Sequence, residues 1–136
     1  MKKAIQFSAV ALLFIMAFSN VVMSQTASKA TTASPKEFQA QWTKDNGFLM
    51  DIRTPEEYMT ASIHRAKLCS FNDQNFGAIL EMLDKNIPVY IYDQNGTNSA
   101  KAAEMMIKMG FKKVVILQGG LNAWQKAGLE VLNLKK

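Results

Sequence analysis

The segment Val89-Tyr90-Ile91-Tyr92 constrains this chain more than any other, because an uninterrupted β-branched and aromatic run reads as a central strand covered on both faces. Strands of that kind belong to parallel sheets, whose crossover connections lay helices on either side. Pro88 precedes the run, and the polar stretch Asp93-Gln94-Asn95-Gly96-Thr97-Asn98 follows it. Residues 99–109 then have the pattern of a helix, closed by Gly110 as a left-handed cap. The alternation recurs along the chain. Ser34-Pro35-Lys36-Glu37 is a capping box with Pro at the first helical position, and it opens a helix that buries Phe38 and Trp42 and stops near Asn46-Gly47. Phe48-Leu49-Met50-Asp51-Ile52 reads as a buried strand, and Thr54-Pro55-Glu56-Glu57 repeats the cap for a short helix. Residues 67–71 suit a brief strand, and residues 76–85 carry Phe76, Ile79, Leu80 and Leu83 on one helical face. Val114-Val115-Ile116-Leu117 is another buried strand, and Gly119-Gly120 turns the chain into a helix with Trp124 that Gly128 stops. Strands alternating with helices predict an α/β domain, a parallel sheet with helices on both faces.

At 136 residues and 49% hydrophobic, the chain has room for one core and not for two full-sized domains. One cysteine, Cys69, and one histidine, His64, exclude a disulfide framework and a cysteine-based zinc module. No metal or cofactor is expected. The net charge of +5 comes from scattered lysines rather than a basic stripe with interleaved aromatics, so nucleic-acid binding is not expected either. Met1-Lys2-Lys3, an apolar run over residues 9–18 and the small or polar residues after it have the three-part layout of a secretory signal peptide. Residues 1–24 are assigned to it, with cleavage after Ser24 or Ser19. The stretch 5–23 is interrupted by Gln6, Ser8, Ser19 and Asn20 and is short for a spanning helix, so no stable membrane anchor is expected. The domain is placed outside the cytoplasm, periplasmic or secreted. Residues 25–33 read as a flexible leader, and residues 34–136 as the domain, expected to be a monomer.

In a parallel α/β sheet, ligands bind at the carboxyl ends of the strands, where loops meet helix N-termini. That rule singles out Asp93, Gln94, Asn95, Gly96, Thr97, Asn98 and Ser99. A loop running from a buried strand straight into a helix aims backbone N–H groups and the positive end of the helix dipole at one point, which is an anion cradle.

The motifs resemble those of a rhodanese domain, the sulfurtransferase fold shared with certain dual-specificity phosphatases. The run from Asp51 through Arg53 to Glu57-Tyr58 is similar to the family's Asp-x-Arg-x-x-x-Glu-Tyr entry. Gly119-Gly120-Leu121-Asn122-Ala123-Trp124 resembles its Gly-Gly-x-x-x-Trp close, and Gly96 and Ser99 match its active loop. The resemblance spans nearly all of the chain after the leader and implies a central parallel five-stranded sheet flanked by helices. It also implies an active loop whose first residue, in active members, is a cysteine that carries sulfane sulfur as a persulfide.

Here that position is Asp93. A carboxylate has no soft sulfur to carry, and its charge opposes an incoming thiosulfate dianion by a few kcal/mol at ~4 Å. Asn98 stands where an Arg is often found late in the loop, and Ala61-Ser62-Ile63-His64-Arg65-Ala66 departs from the family's Gly-His-Ile-Pro-Gly-Ala, so His64 is not in the family's His position. The expectation is a carboxylate that satisfies its own loop's N–H groups, in a binding or regulatory module whose partner is a protein or a small anion. Asp51 and Arg53 are expected to tether the neighbouring turn, with an electrostatic role second. The alternative is an active thiosulfate or persulfide sulfurtransferase that uses Cys69, although a cysteine at a buried strand position is expected to be inert. Two other likenesses fail on chemistry. In the Asp-x-Asp-Gly-Thr loop of haloacid-dehalogenase-type phosphatases the second Asp transfers the proton, and Asn95 cannot. An EF-hand spacing of Asp93, Asn95 and Glu104 lacks its glycine, since Asn98 stands there. Met105, Met106 and Met109 are at helical spacing and read as packing.

Overall fold

The computed structural model describes residues 28–135. In chain order its elements are β1 (Thr31–Ala33), α1 (Pro35–Asp45), β2 (Phe48–Asp51), α2 (Pro55–Thr60), β3 (Lys67–Leu68), α3 (Phe76–Glu81), β4 (Val89–Tyr92), α4 (Thr97–Lys108), β5 (Val114–Leu117) and α5 (Gly120–Lys126). The five strands form one sheet in the order β1-β5-β4-β2-β3, every pairing parallel. β4 lies at its centre, all four residues buried, as a polar-free run requires.

Period-two alternation splits the core into two layers. Leu49, Tyr90, Tyr92, Val115 and Leu117 face Phe38 and Trp42 of α1 and Leu121 and Trp124 of α5. Met50, Val89, Ile91 and Val114 face Phe76 and Leu80 of α3 and Ala102, Ala103 and Met106 of α4. Helices therefore cover both faces. Both predicted capping boxes form: Glu37 Oε2 accepts from the Ser34 N–H, and Glu57 Oε2 accepts from the Thr54 N–H while Thr54 Oγ1 accepts from the Glu57 N–H. α1 ends on Asn46 at φ 48°, the left-handed cap expected at Asn46-Gly47.

Four local expectations need correction. Residues 31–33, read as part of a flexible leader, are strand β1. They pair with β5 in the register Thr31↔Val115 to Ala33↔Leu117, and Ala33 is buried in the core. A strand this short carries no alternation of its own, and its partner lies far along the chain. The 67–71 strand shrinks to Lys67–Leu68, although the Cys69 N–H still donates to the Asp51 carbonyl at the end of β2 and the Phe71 N–H to the Ile52 carbonyl just beyond it. α3 stops at Glu81 rather than running to residue 85, giving way to a turn in which Asp84 Oδ1 accepts from the Asn86 N–H. α4 begins at Thr97 rather than Ser99, because Gly96 at φ 95° breaks the chain direction earlier. The signal-peptide assignment lies outside the described residues. No helix among the described residues is long and apolar enough to cross a membrane.

Candidate functional site

The loop between β4 and α4 is built around one carboxylate. Asp93 is buried, with Oδ1 accepting from the Gly96 N–H at 2.7 Å and the Ser99 hydroxyl at 2.7 Å, and Oδ2 accepting from the Asn98 N–H at 3.0 Å. Asn95 Oδ1 accepts from the Thr97 N–H at 3.0 Å. The Gly96, Thr97 and Asn98 N–H groups at the start of α4, which by themselves would receive an external anion, are thus met by side chains of the loop.

The floor of the loop comes from α5. The Leu121 N–H donates to the Asp93 carbonyl and the Asn122 N–H to the Gln94 carbonyl. Such close approach demands glycine at position 120. A Cβ on Gly120 would sit 2.5 Å from Asp93 O and 2.6 Å from Asn95 N, and Gly119 and Gly120 are both at positive φ. Gln94 Nε2 also donates to Asn122 Oδ1. These α5 contacts were missed in the sequence, where Gly119-Gly120 gave the turn but not what it packs against.

Arg53 forms the opposite wall. Its guanidinium pairs with Asp51 Oδ2 at 2.6 Å, donates to the Ala61 carbonyl at 2.6 Å and to Gln94 Oε1 at 3.0 Å, and lies over the Tyr92 ring. Burial works against the Arg53 charge, but the hydrogen-bonded Asp51 carboxylate outweighs it and holds the guanidinium above its ordinary value. The Tyr92 hydroxyl accepts from the Ile63 N–H, and burial, reinforced by nearby Asp51, pushes its phenol well up. Asp51 and Arg53 therefore tether the segment around α2 to the loop, and Arg53 also faces the cavity there.

That cavity measures about 140 Å³ and is lined by Ile52, Arg53, Thr54, Glu57, Asn72, Asp93, Gln94, Asn95 and Asn98. Arg53 in the lining is paired with Asp51 behind it, and Glu57 and Asp93 also line the cavity, so the site is acidic although the whole chain is cationic. Glu57 was legible in the sequence only as a helix cap. Its place follows from α2 starting directly beyond the carboxyl end of β2. Cys69 is not among the lining residues. It is buried, and desolvation together with nearby Asp73 pushes its thiol up, which disfavours the thiolate that sulfur chemistry needs. His64 is an exposed loop residue. Among the described residues no three His, Cys, Asp or Glu side chains gather as a metal site.

A rhodanese-like domain model matches residues 34–127. The chain belongs to the rhodanese-like domain family. It is 28% identical over 93 residues to the thiosulfate sulfurtransferase GlpE of Vibrio cholerae, covering 68% of this chain and 86% of that protein. It is 35% identical over 103 residues to the probable adenylyltransferase/sulfurtransferase MoeZ of Mycobacterium tuberculosis, covering 74% of this chain but 26% of that longer protein. Among solved structures, a rhodanese-related protein of Thermoplasma volcanium superposes with a TM-score of 0.67 at 19% identity, over 76% of this chain and 98% of that one. A rhodanese-like domain protein of Staphylococcus aureus gives 0.63 at 29% identity, over 74% and 96%.

Proposed function

We propose that this rhodanese-like domain carries Asp93 at the position of the family's sulfur-accepting cysteine, does not transfer sulfane sulfur, and serves as a binding or regulatory module. The observation that carries this reading is the Asp93 carboxylate accepting from Gly96, Asn98 and Ser99, the donors that would otherwise stabilise a thiolate, a persulfide or a bound anion. Carboxylate oxygen can neither form nor release a persulfide bond. The acidic surroundings also oppose a thiosulfate dianion, and Arg53, the cation lining the cavity among the described residues, is already paired with Asp51. A protein partner would meet the loop from the side of Gln94 and Asn95, beyond the sealed carboxylate. The layout of residues 1–24 supports export of the domain.

Thiocyanate formation from thiosulfate and cyanide tests the reading, with the purified protein run beside Asp93→Cys and Cys69→Ser variants. The expected result is no turnover above background for the native protein and for Cys69→Ser, with turnover gained by Asp93→Cys. Native activity abolished by Cys69→Ser would overturn the reading and make Cys69 the sulfur carrier.

A further inference from the structure

Strand direction sorts charge in this domain as well as ligands. All five strands are parallel, so the connections leading into them and the carbonyl ends of the helices gather at one end, opposite the Asp93 loop. The segments there are 28–30, 44–47, 63–67, 81–88, 108–113 and 126–130, and they hold nine lysines and arginines against four carboxylates. The remaining described residues, the loop included, hold four against seven. The domain is a charge dipole along the sheet, positive at the amino ends of the strands.

Helix ends account for part of the surplus. Lys44, Lys108 and Lys126 stand in the last turns of α1, α4 and α5, where a cation answers the exposed carbonyls. Lys85 pairs with Glu81, and Lys113 with Asp45. Four exposed cations are left without an ion-pair partner among the described residues: Lys29, Arg65, Lys67 and Lys112. They run the width of the sheet. Lys29 leads into β1, Lys112 into β5, and Arg65 and Lys67 lie at β3, so they reach from edge to edge over four strand spacings, roughly 19 Å. No small anion bridges that distance, whereas a flat anionic surface meets all four.

Apolar side chains decide which surface. The two most exposed large apolar residues among those described are Met82, at 86%, and Ile87, at 45%, and both belong to the connection between α3 and β4 at this same end. Exposed apolar side chains set among lysines are what enters the boundary between headgroups and acyl chains, while an acidic protein surface needs only the cations. The carboxylates of that connection are already engaged, Glu81 with Lys85 and Asp84 with the Asn86 N–H. The chain also enters the fold here, because β1 runs parallel to β5 and Thr31 opens it at this end. The export-type segment at residues 1–24 therefore attaches on the side of the positive face.

We propose that the amino-end face docks reversibly on a membrane surface rich in anionic phospholipid, its cations on the headgroups and Met82 and Ile87 in the apolar boundary. This is peripheral contact and not an anchor. It turns the Asp93 loop away from the lipid, open to a protein partner. No residue of the loop takes part, so the proposal is independent of whether Asp93 has replaced a catalytic cysteine.

The test is cosedimentation of residues 25–136, which keep every described contact, with vesicles of phosphatidylcholine alone or in equal parts with phosphatidylglycerol. The native sequence should partition onto the mixed vesicles at least tenfold more strongly than onto phosphatidylcholine, and lose that excess between ~0.01 M and ~1 M salt. Lys67→Glu with Lys112→Glu should cut the partition coefficient at least tenfold. Lys36→Glu with Lys101→Glu makes the same change in net charge at exposed positions off this face, and should leave it within threefold. Met82→Ser with Ile87→Ser should cut it severalfold at fixed salt. Equal uptake by both vesicle types, or uptake by neither, would overturn the proposal. So would equal losses in the two charge-reversed pairs, which would reduce the effect to net charge. Native-like uptake by Met82→Ser with Ile87→Ser would overturn it in favour of an acidic protein partner.

Discussion

The two ends of the sheet carry opposite charge and opposite degrees of closure. At the carboxyl ends of β2 and β4, loop and helix donors converge on a point that a side chain of the chain itself occupies, and a 140 Å³ cavity remains above it among carboxylates and amides. At the amino ends of β2 and β3, a 340 Å³ cleft is walled by a tryptophan ring and two cationic side chains. The difference teaches that an anion-directed geometry and an anion-accepting charge are separable. The first follows from topology, because a strand–loop–helix connection in a parallel sheet aims N–H groups whatever the loop sequence. The second is set residue by residue, and a single Asp reverses it.

The largest expected effect lies where backbone touches backbone. Gly120→Ala places a Cβ 2.5 Å from the Asp93 carbonyl and 2.6 Å from the Asn95 nitrogen, at a φ of 61° that alanine resists. Neither obstacle is a flexible side-chain end, so either loop or α5 must move. A loss of ~3 kcal/mol or more is expected in denaturant unfolding, with loop amides exchanging faster. A native-like unfolding midpoint would show that the loop is not held by α5.

Asp93→Ala comes next. It orphans two N–H groups and the Ser99 hydroxyl, each of which costs ~1–3 kcal/mol where water cannot replace the partner. Partial hydration of the part-buried N–H groups brings the expected total to ~2–4 kcal/mol. The variant then turns the comparison around, since the emptied cradle is free to take sulfate or phosphate. Those anions should raise the melting temperature of Asp93→Ala and leave the native protein unchanged. Equal stabilisation of both proteins would mean that the carboxylate is not what closes the site.

Much of this was legible because the signals are local. The run 89–92 has no polar residue, each capping box spans four positions, and the loop at 93–99 follows from the strand before it and the helix after it. The acceptor role of Asp93 was also legible, because a carboxylate at the head of such a loop has N–H groups within reach. What escaped was non-local. β1 exists only because β5 lies beside it, and Thr31-Thr32-Ala33 has no pattern that names such a partner. Gly119-Gly120 shows a turn, but the need for glycine at position 120 is set by the Asp93–Asn95 backbone on another element. The amino-end cleft assembles α1, β2 and the turn before β3, in which Arg65 at φ 69° stands where the resembled motif has Gly and the Ala66 N–H donates to the Ile63 carbonyl.

The smallest expected effect concerns the carboxylate that ends α1. Asp45 closes α1 and accepts from Lys113 at 2.6 Å and from the Tyr90 hydroxyl. These hydrogen bonds, Lys113 first, hold its carboxyl below the ordinary value of 3.8, while burial pushes the Tyr90 phenol up. A carboxylate depressed in the folded state contributes stability that is fully present above its unfolded value and is lost as pH falls through the folded one. Asp45→Asn should therefore melt slightly below the native protein at pH 7, by less than ~1 kcal/mol because Lys113 is well exposed, and the gap should close below about pH 4. A gap that persists at pH 2 would assign the loss to packing rather than charge. The same variant leaves Lys113 without its counter-ion, which adds positive potential at this end of the sheet, screened over ~8–10 Å by physiological salt.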